Sequence, residues 1–238
     1  MQKTKSMILE REDQTDGLGE KFGKEIPEGT LAFIEGTEGT GKSIICQRLC
    51  YSFLENGYKC SYLSTQFTVK NFVRQMISVD YNIKKYLLKG KLFFISTESI
   101  LGETLDSKRF LDKLIHDCEK LFEKEIVIID SVSTLLKESL NNDNVSDLFN
   151  FFNRWSGSEK IIILTANPNE WDSKIHQMFM LTSDVHFELA LVNIPGIGLS
   201  NHINIHKFNG ARFKYQNSTG FSVRPGIGIS LESTHVAF

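Results

Sequence analysis

Cysteine, net charge and long apolar runs are all scarce in this chain of 238 residues, and each scarcity excludes something. The four cysteines (Cys46, Cys50, Cys60 and Cys118) form no C-x-x-C pair, so the usual signature of a zinc ribbon or a dithiol redox centre is missing. They are expected to be small buried residues in a reducing compartment. Lysine and arginine (27) nearly balance aspartate and glutamate (29), and a net charge of −2 argues against broad attraction to nucleic acid or anionic membrane. No apolar run is long enough to span a bilayer, and the opening MQKTKSMILEREDQTDG has no secretory h-region, so a cytoplasmic location is expected. Internal repeats, low-complexity tracts and obvious linkers are also missing. Residues 1–238 are therefore expected to form one domain, with 1–24 as a polar N-terminal segment.

What the chain does have is IEGTEGTGKS, Ile34 to Ser43, in which Gly36, Gly41, Lys42 and Ser43 satisfy the P-loop pattern G-x-x-x-x-G-K-[ST]. The apolar Leu31-Ala32-Phe33-Ile34 before it reads as a strand. Ile44 to Leu54 after it reads as a helix ending near Gly57. Strand, glycine-rich turn and helix together aim backbone N–H groups and a helix N-terminus at one point, which suits a di- or triphosphate. The expected nucleotide contacts are Gly36, Thr37, Glu38, Gly39, Thr40, Gly41, Lys42, Ser43 and Ile44. Lys42 would meet the β- and γ-phosphates, and the Ser43 hydroxyl would ligate Mg²⁺.

Further along, residues 59–65 and 91–96 read as strands, separated by a helix over 68–79 with Thr68 as N-cap and a shorter helical piece over 83–88. Asp106 is expected to cap a helix whose apolar face carries Phe110, Leu111, Leu114, Ile115, Cys118, Leu121 and Phe122. The runs 125–130 and 161–165 are continuously apolar, as strands of a parallel sheet buried on both faces are, with a helix over 145–155 between them. From 184 onward the pattern alternates, through 202–208, 219–224 and 227–231. A parallel βα core to about 165 and an antiparallel extension beyond it follow.

Several side chains carry two readings. Asp130, ending the strand 125–130, stands where a carboxylate would hold Mg²⁺ against Ser43, or cap the next helix. Asn167, after the strand 161–165, is a γ-phosphate sensor or an ordinary turn former beside Pro168. His202 and His206 share a strand face but lack a partner for metal binding. Phe149, Phe151, Phe152 and Trp155 suit a core-facing helix, whereas Trp171 and Phe179 are better candidates for a protein contact.

Together, IPEGTLAFIEGTEGTGKS, the strand ending in IIDS and the β-rich C-terminus resemble the RecA/KaiC-type ATPases. The short length and KCSYLSTQF resemble more closely the KaiC-like ATP-binding subunits of the archaellum motor, over about residues 15–235. The resemblance implies a RecA/KaiC-like P-loop α/β fold, with a mostly parallel central sheet flanked by helices and an antiparallel C-terminal extension. It implies ATP and Mg²⁺ as ligands. It implies a homo-oligomeric ring, expected to be a hexamer, at the cytoplasmic base of the archaellum, engaging the motor ATPase and the membrane platform protein. Hydrolytic relatives place a glutamate at the end of the second strand to polarise water. Here Gln66 occupies that position, and an amide cannot accept the proton. Their K-x-R-G stretch, which reaches a neighbour's γ-phosphate, becomes Lys207-Phe208-Asn209-Gly210. Lys207 remains a candidate sensor in trans or a solvated lysine, Asn209 brings no charge, and Arg212 is the nearest substitute. Slow or absent turnover is expected. The rival reading is an autonomous KaiC- or RadA-like ring ATPase, and a third is a recombination-type DNA-binding ATPase. Lys174 and His176 are the only basic residues in the region that would line a DNA path, so no nucleic-acid partner is expected.

Overall fold

The computed structural model describes residues 6–10, 16–97, 110–116, 119–141, 143–194 and 198–232. Its order of elements is β1 (Ser6–Ile8), α1 (Leu18–Lys21), β2 (Glu25–Pro27), β3 (Leu31–Gly36), α2 (Lys42–Glu55), β4 (Cys60–Ser64), α3 (Val69–Ser78), α4 (Lys84–Leu88), β5 (Leu92–Ser96) and α5 (Phe110–His116). There follow β6 (Ile126–Asp130), α6 (Val132–Leu136), α7 (Val145–Ser156), β7 (Ile161–Ala166), α8 (Ser173–Thr182), β8 (Val185–Ile194), β9 (Gly198–Phe208), β10 (Ser218–Arg224) and β11 (Gly228–Leu231).

A nine-stranded sheet organises them in the order β11-β10-β9-β8-β3-β7-β6-β4-β5. From β8 to β5 neighbouring strands run parallel, and from β8 to β11 antiparallel. Side chains of a strand alternate between its faces, and the apolar runs divide accordingly. Ala32, Ile34, Ile126, Ile128, Ile161 and Ile163 join one core with α2 and α3. Leu31, Phe33, Val127, Ile129, Ile162 and Leu164 join the other, with α6, α7 and α8. This double burial is why the central strands show no polar alternation.

Helix α2 leaves the P-loop with Ile44 through Leu54 all buried, wedged between the sheet and the N-terminal segment. On α3, the Thr68 hydroxyl accepts from the Asn71 N–H at 3.3 Å, the cap expected from the sequence. Phe149, Phe151 and Phe152 are buried on α7, so that aromatic set is core. Cys46, Cys50 and Cys60 are free and buried.

Four expectations need correction. The parallel sheet does not stop near 165, because α8 carries the chain across to β8, which pairs in parallel with β3. On β8 the alternation is confined to Phe187–Ala190, and Leu191, Val192 and Asn193 are exposed in succession where the strand outruns β3. The helix expected to run to Phe122 ends at His116, and a 3₁₀ turn over Glu119–Glu123 brings the buried Leu121 and Phe122 directly into β6; Asp106 and Cys118 lie outside the described residues. Residues 1–24 are not simply polar: β1 pairs with β2, and Met7, Leu9, Leu18 and Phe22 are buried. Finally, Phe179 is buried in the core and Trp171, half-buried, stacks on it at 4.5 Å between ring centroids, so Phe179 is not a surface for a protein contact.

Candidate nucleotide site

The P-loop closes over the C-terminal ends of the parallel strands, where ligands of open α/β sheets bind. Its shape comes from close approaches. A Cβ on Gly36 would lie 2.5 Å from the Leu189 carbonyl oxygen, and one on Gly41 would lie 2.9 Å from the Phe221 ring. Gly41 also has φ +93°, a conformation that L side chains rarely adopt. Thr40 is buried, and its hydroxyl donates to the Thr37 carbonyl at 2.8 Å, tying the loop to itself.

The cleft beside the loop holds about 520 Å³. Of the expected nucleotide contacts, Glu38, Gly39, Gly41, Lys42, Ser43 and Ile44 line it, and Gly36, Thr37 and Thr40 form the frame behind. Asp130, Gln66 and Asn167 converge on the same cleft from the ends of three different strands. Lys42 Nζ donates to the carbonyls of Gly36 (2.7 Å) and Thr37 (2.8 Å), which holds its charge at the mouth of the loop. Burial pushes the Lys42 pKa down, and the nearby carboxylates of Asp130 and Glu170 oppose that shift.

Asp130 is buried, and both its oxygens accept from protein hydroxyls: Oδ1 from Thr165 at 2.7 Å and Oδ2 from Tyr62 at 2.8 Å. It does not cap α6, whose N-cap is Ser131. Asn167 serves as turn former and cleft wall together. Its side-chain oxygen accepts from the Asn169 N–H at 3.1 Å, and its own N–H donates to Ser133 Oγ at 2.8 Å. Gln66 is exposed on the wall, two residues past the end of β4. The oxygen donors offered by Ser43 and Asp130 suit a hard divalent cation such as Mg²⁺.

Lys207 lies elsewhere in its own chain. Its ammonium donates to the carbonyls of Leu181 (2.9 Å) and Ser183, at the C-terminal end of α8, where a cation favours the helix dipole. Arg212 is 3.5 Å from Glu25 on the surface. His206 has a carboxylate partner that the sequence did not suggest, Glu188 at 2.7 Å, while among the described residues no group of three or more ligating side chains could hold a metal.

Sequence reasoning missed Glu170. It lines the cleft, and its Oε2 accepts from Ser133 Oγ at 2.6 Å and Thr134 Oγ1 at 3.0 Å, both on α6 just after Asp130. Three residues past Asn167 in a 3₁₀ turn, it carries no periodic signal that could have marked it.

A second unforeseen feature sits beneath the loop. Glu35, the residue before Gly36, is buried between two imidazoles: His186 of β8 at 2.6 Å, and His176 of α8, also within hydrogen-bonding contact. His176 thus turns toward Glu35 and is only partly exposed. Burial alone would raise the Glu35 pKa, but the hydrogen bonds and positive charge of His186 and His176 outweigh it and hold the carboxyl below its usual range. A depressed carboxyl contributes stability that is present above its unfolded pKa and is lost as pH falls through the folded value. Denaturant midpoints measured from neutral pH down to about pH 3 should therefore show the stability gap between the parent and Glu35→Gln closing on the acid side. A gap independent of pH would refute this.

The chain matches the family model for the KaiC ATPase over residues 13–233. The archaeal flagellar ATP-binding protein FlaH of Methanocaldococcus jannaschii is 38% identical over 222 residues, which cover 93% of this chain and 94% of that protein. FlaH of Methanococcus voltae is 36% identical, over 96% of this chain and 97% of that protein. The crystal structure of the flagellar accessory protein FlaH from M. jannaschii superimposes with a TM-score of 0.85, at 37% identity, covering 97% of this chain and 99% of that one. A KaiC-like protein from Pyrococcus horikoshii shares the fold, with a TM-score of 0.73 at 19% identity over 97% of this chain and 100% of that one. The chain therefore belongs to the KaiC-type ATPases, in the group that contains the archaeal flagellar ATP-binding proteins FlaH.

Proposed function

We propose that this chain is an ATP-binding regulatory subunit of the archaellum motor, in which nucleotide occupancy switches assembly and docking while turnover stays slow. The observation that carries this reading is the composition of the cleft. Lys42, Ser43 and Asp130 stand together to hold Mg-ATP, while the water-polarising position is taken by the neutral Gln66. Bound Mg²⁺ would neutralise charge on the β- and γ-phosphates. The chain's own part is to fix the triphosphate with the loop N–H groups and Lys42, and to sense the γ-phosphate through Asn167. The names of the FlaH relatives, archaeal flagellar ATP-binding proteins, support the setting.

Self-assembly into a hexameric ring at the cytoplasmic base of the archaellum, with contacts to the motor ATPase and the membrane platform protein, completes the reading. Among the described residues no helix is long and apolar enough to cross a membrane. A hundredfold preference of ATP for the docked form corresponds to about 2.7 kcal/mol, within reach of a γ-phosphate touching a few residues. No cation in trans is assigned to hydrolysis, because Lys207 is engaged with two carbonyls and Asn209 is neutral.

The rival reading, a hydrolysing ring ATPase, draws on Glu170, a carboxylate in the same cleft. Phosphate release by purified protein separates the two: the switch reading expects less than about one ATP per second per subunit. Gln66→Glu is expected to leave that rate within about threefold, since no cationic finger accompanies it. A large gain from this single change would defeat the low-turnover part of the proposal. Light scattering with and without Mg-ATP tests the assembly part.

A further inference from the structure

Around Lys42 the cleft gathers three carboxylates, Asp130, Glu170 and Glu38, and a triphosphate would add several more negative charges. Such a site repels its own ligand unless a divalent cation enters with it. Asp130 is held in one orientation, because each of its oxygens accepts from a buried hydroxyl, Thr165 or Tyr62, which leaves a further lone pair on each. Glu170 is built differently. Both of its described hydrogen bonds, from Ser133 and Thr134, fall on Oε2, and no hydrogen bond of the described residues reaches Oε1. Ser133 also receives the Asn167 N–H, so the turn carrying Glu170 is strapped to the start of α6, immediately after Asp130.

The geometry points to Glu170 as a second, metal-facing carboxylate that makes triphosphate binding depend on a divalent cation. This rests on the nucleotide-binding reading above. Through Oε1, directly or by a metal-bound water, Glu170 favours the hydrated Mg²⁺ beside Ser43 and Asp130. Without the metal, the same charge opposes the γ-phosphate. Lys42 feels both carboxylates, since Asp130 and Glu170 are the charges that most strongly oppose the effect of its burial. Oxygen-only donors with room for water are the ligands that Mg²⁺ accepts.

The test is the ATP dissociation constant measured by calorimetry, in excess Mg²⁺ and in EDTA, for the parent chain, Glu170→Gln and Glu170→Asp. The parent is expected to bind more tightly with Mg²⁺. Glu170→Gln keeps an acceptor for Ser133 and Thr134 but loses the charge. It should weaken binding in Mg²⁺ and strengthen it in EDTA, compressing the ratio of the two constants by about tenfold. Glu170→Asp should restore most of the ratio. An unchanged ratio in Glu170→Gln, or both constants moving in parallel, overturns the assignment and leaves the nucleotide site standing. A loss of phosphate release with an unchanged ratio would instead mark Glu170 as a water-activating base, and also overturns it. Failure of the parent chain to bind ATP in either condition would remove the nucleotide reading itself.

Discussion

Lys42→Ala is expected to weaken ATP binding by about 100-fold or more while leaving the fold intact. The ammonium now bonded to the Gly36 and Thr37 carbonyls is the one cation among the cleft's described lining residues, and it would form charge-assisted hydrogen bonds to two phosphates. Each such bond is worth at least about 1.5 kcal/mol, and every 1.4 kcal/mol is tenfold in affinity, so losing both exceeds two orders of magnitude. The side chain is half-buried and one of its two partners, the Thr37 carbonyl, belongs to an exposed residue, so the thermal midpoint should move by no more than about 4 °C. Calorimetric titration and a melting curve on the same sample check both halves. Unimpaired binding would mean that the phosphates rest somewhere else.

Arg48→Ala should do the opposite, costing stability while leaving every side chain that lines the cleft unchanged. Arg48 is 1% exposed. Its Nε and Nη2 grip Asp16 Oδ2 and Oδ1 at 2.8 and 2.7 Å, and its Nη1 donates to the Leu9 carbonyl. Ser52 and Asn56, one and two turns further along α2, donate to the Leu9 and Glu10 carbonyls. The N-terminal segment is thereby laced to the outer face of the P-loop helix. Removing one member of a buried, bidentate pair leaves Asp16 charged and desolvated, at a cost of about 3–5 kcal/mol. For a chain of this size that is a fall in melting temperature of roughly 6–20 °C. Replacing both members, as in Arg48→Met with Asp16→Leu, should recover part of the loss, because the desolvation of the charges disappears with them. A melting temperature within about 2 °C of the parent for Arg48→Ala would show that the segment contributes little.

The central sheet was legible because its strands are short, apolar and bounded by glycine or by a carboxylate, and burial on both faces leaves few other readings. The P-loop was legible because its function requires fixed residues at fixed spacing. The rest depends on contacts across the chain. Val132–Leu136 is too short for a period to appear. The partnership of Arg48 with Asp16 joins residues 32 apart, and nothing near either announces it. Glu35 reads as an ordinary strand residue until β8 and α8 bring His186 and His176 against it. Lys207 looked free because a helix end is invisible from the strand that faces it. Glu170 was missed for the same reason, since what gives it a role is α6 beside it.

The ring of Phe221, on β10, lies so close over Gly41 that a single methyl group would not fit between them. Residues 180 positions apart thus share one mechanical joint. Neither can move toward the other without a clash. A push on Phe221 delivered along the outer strands β10 and β11 would therefore be felt at Gly41, at the start of the P-loop helix.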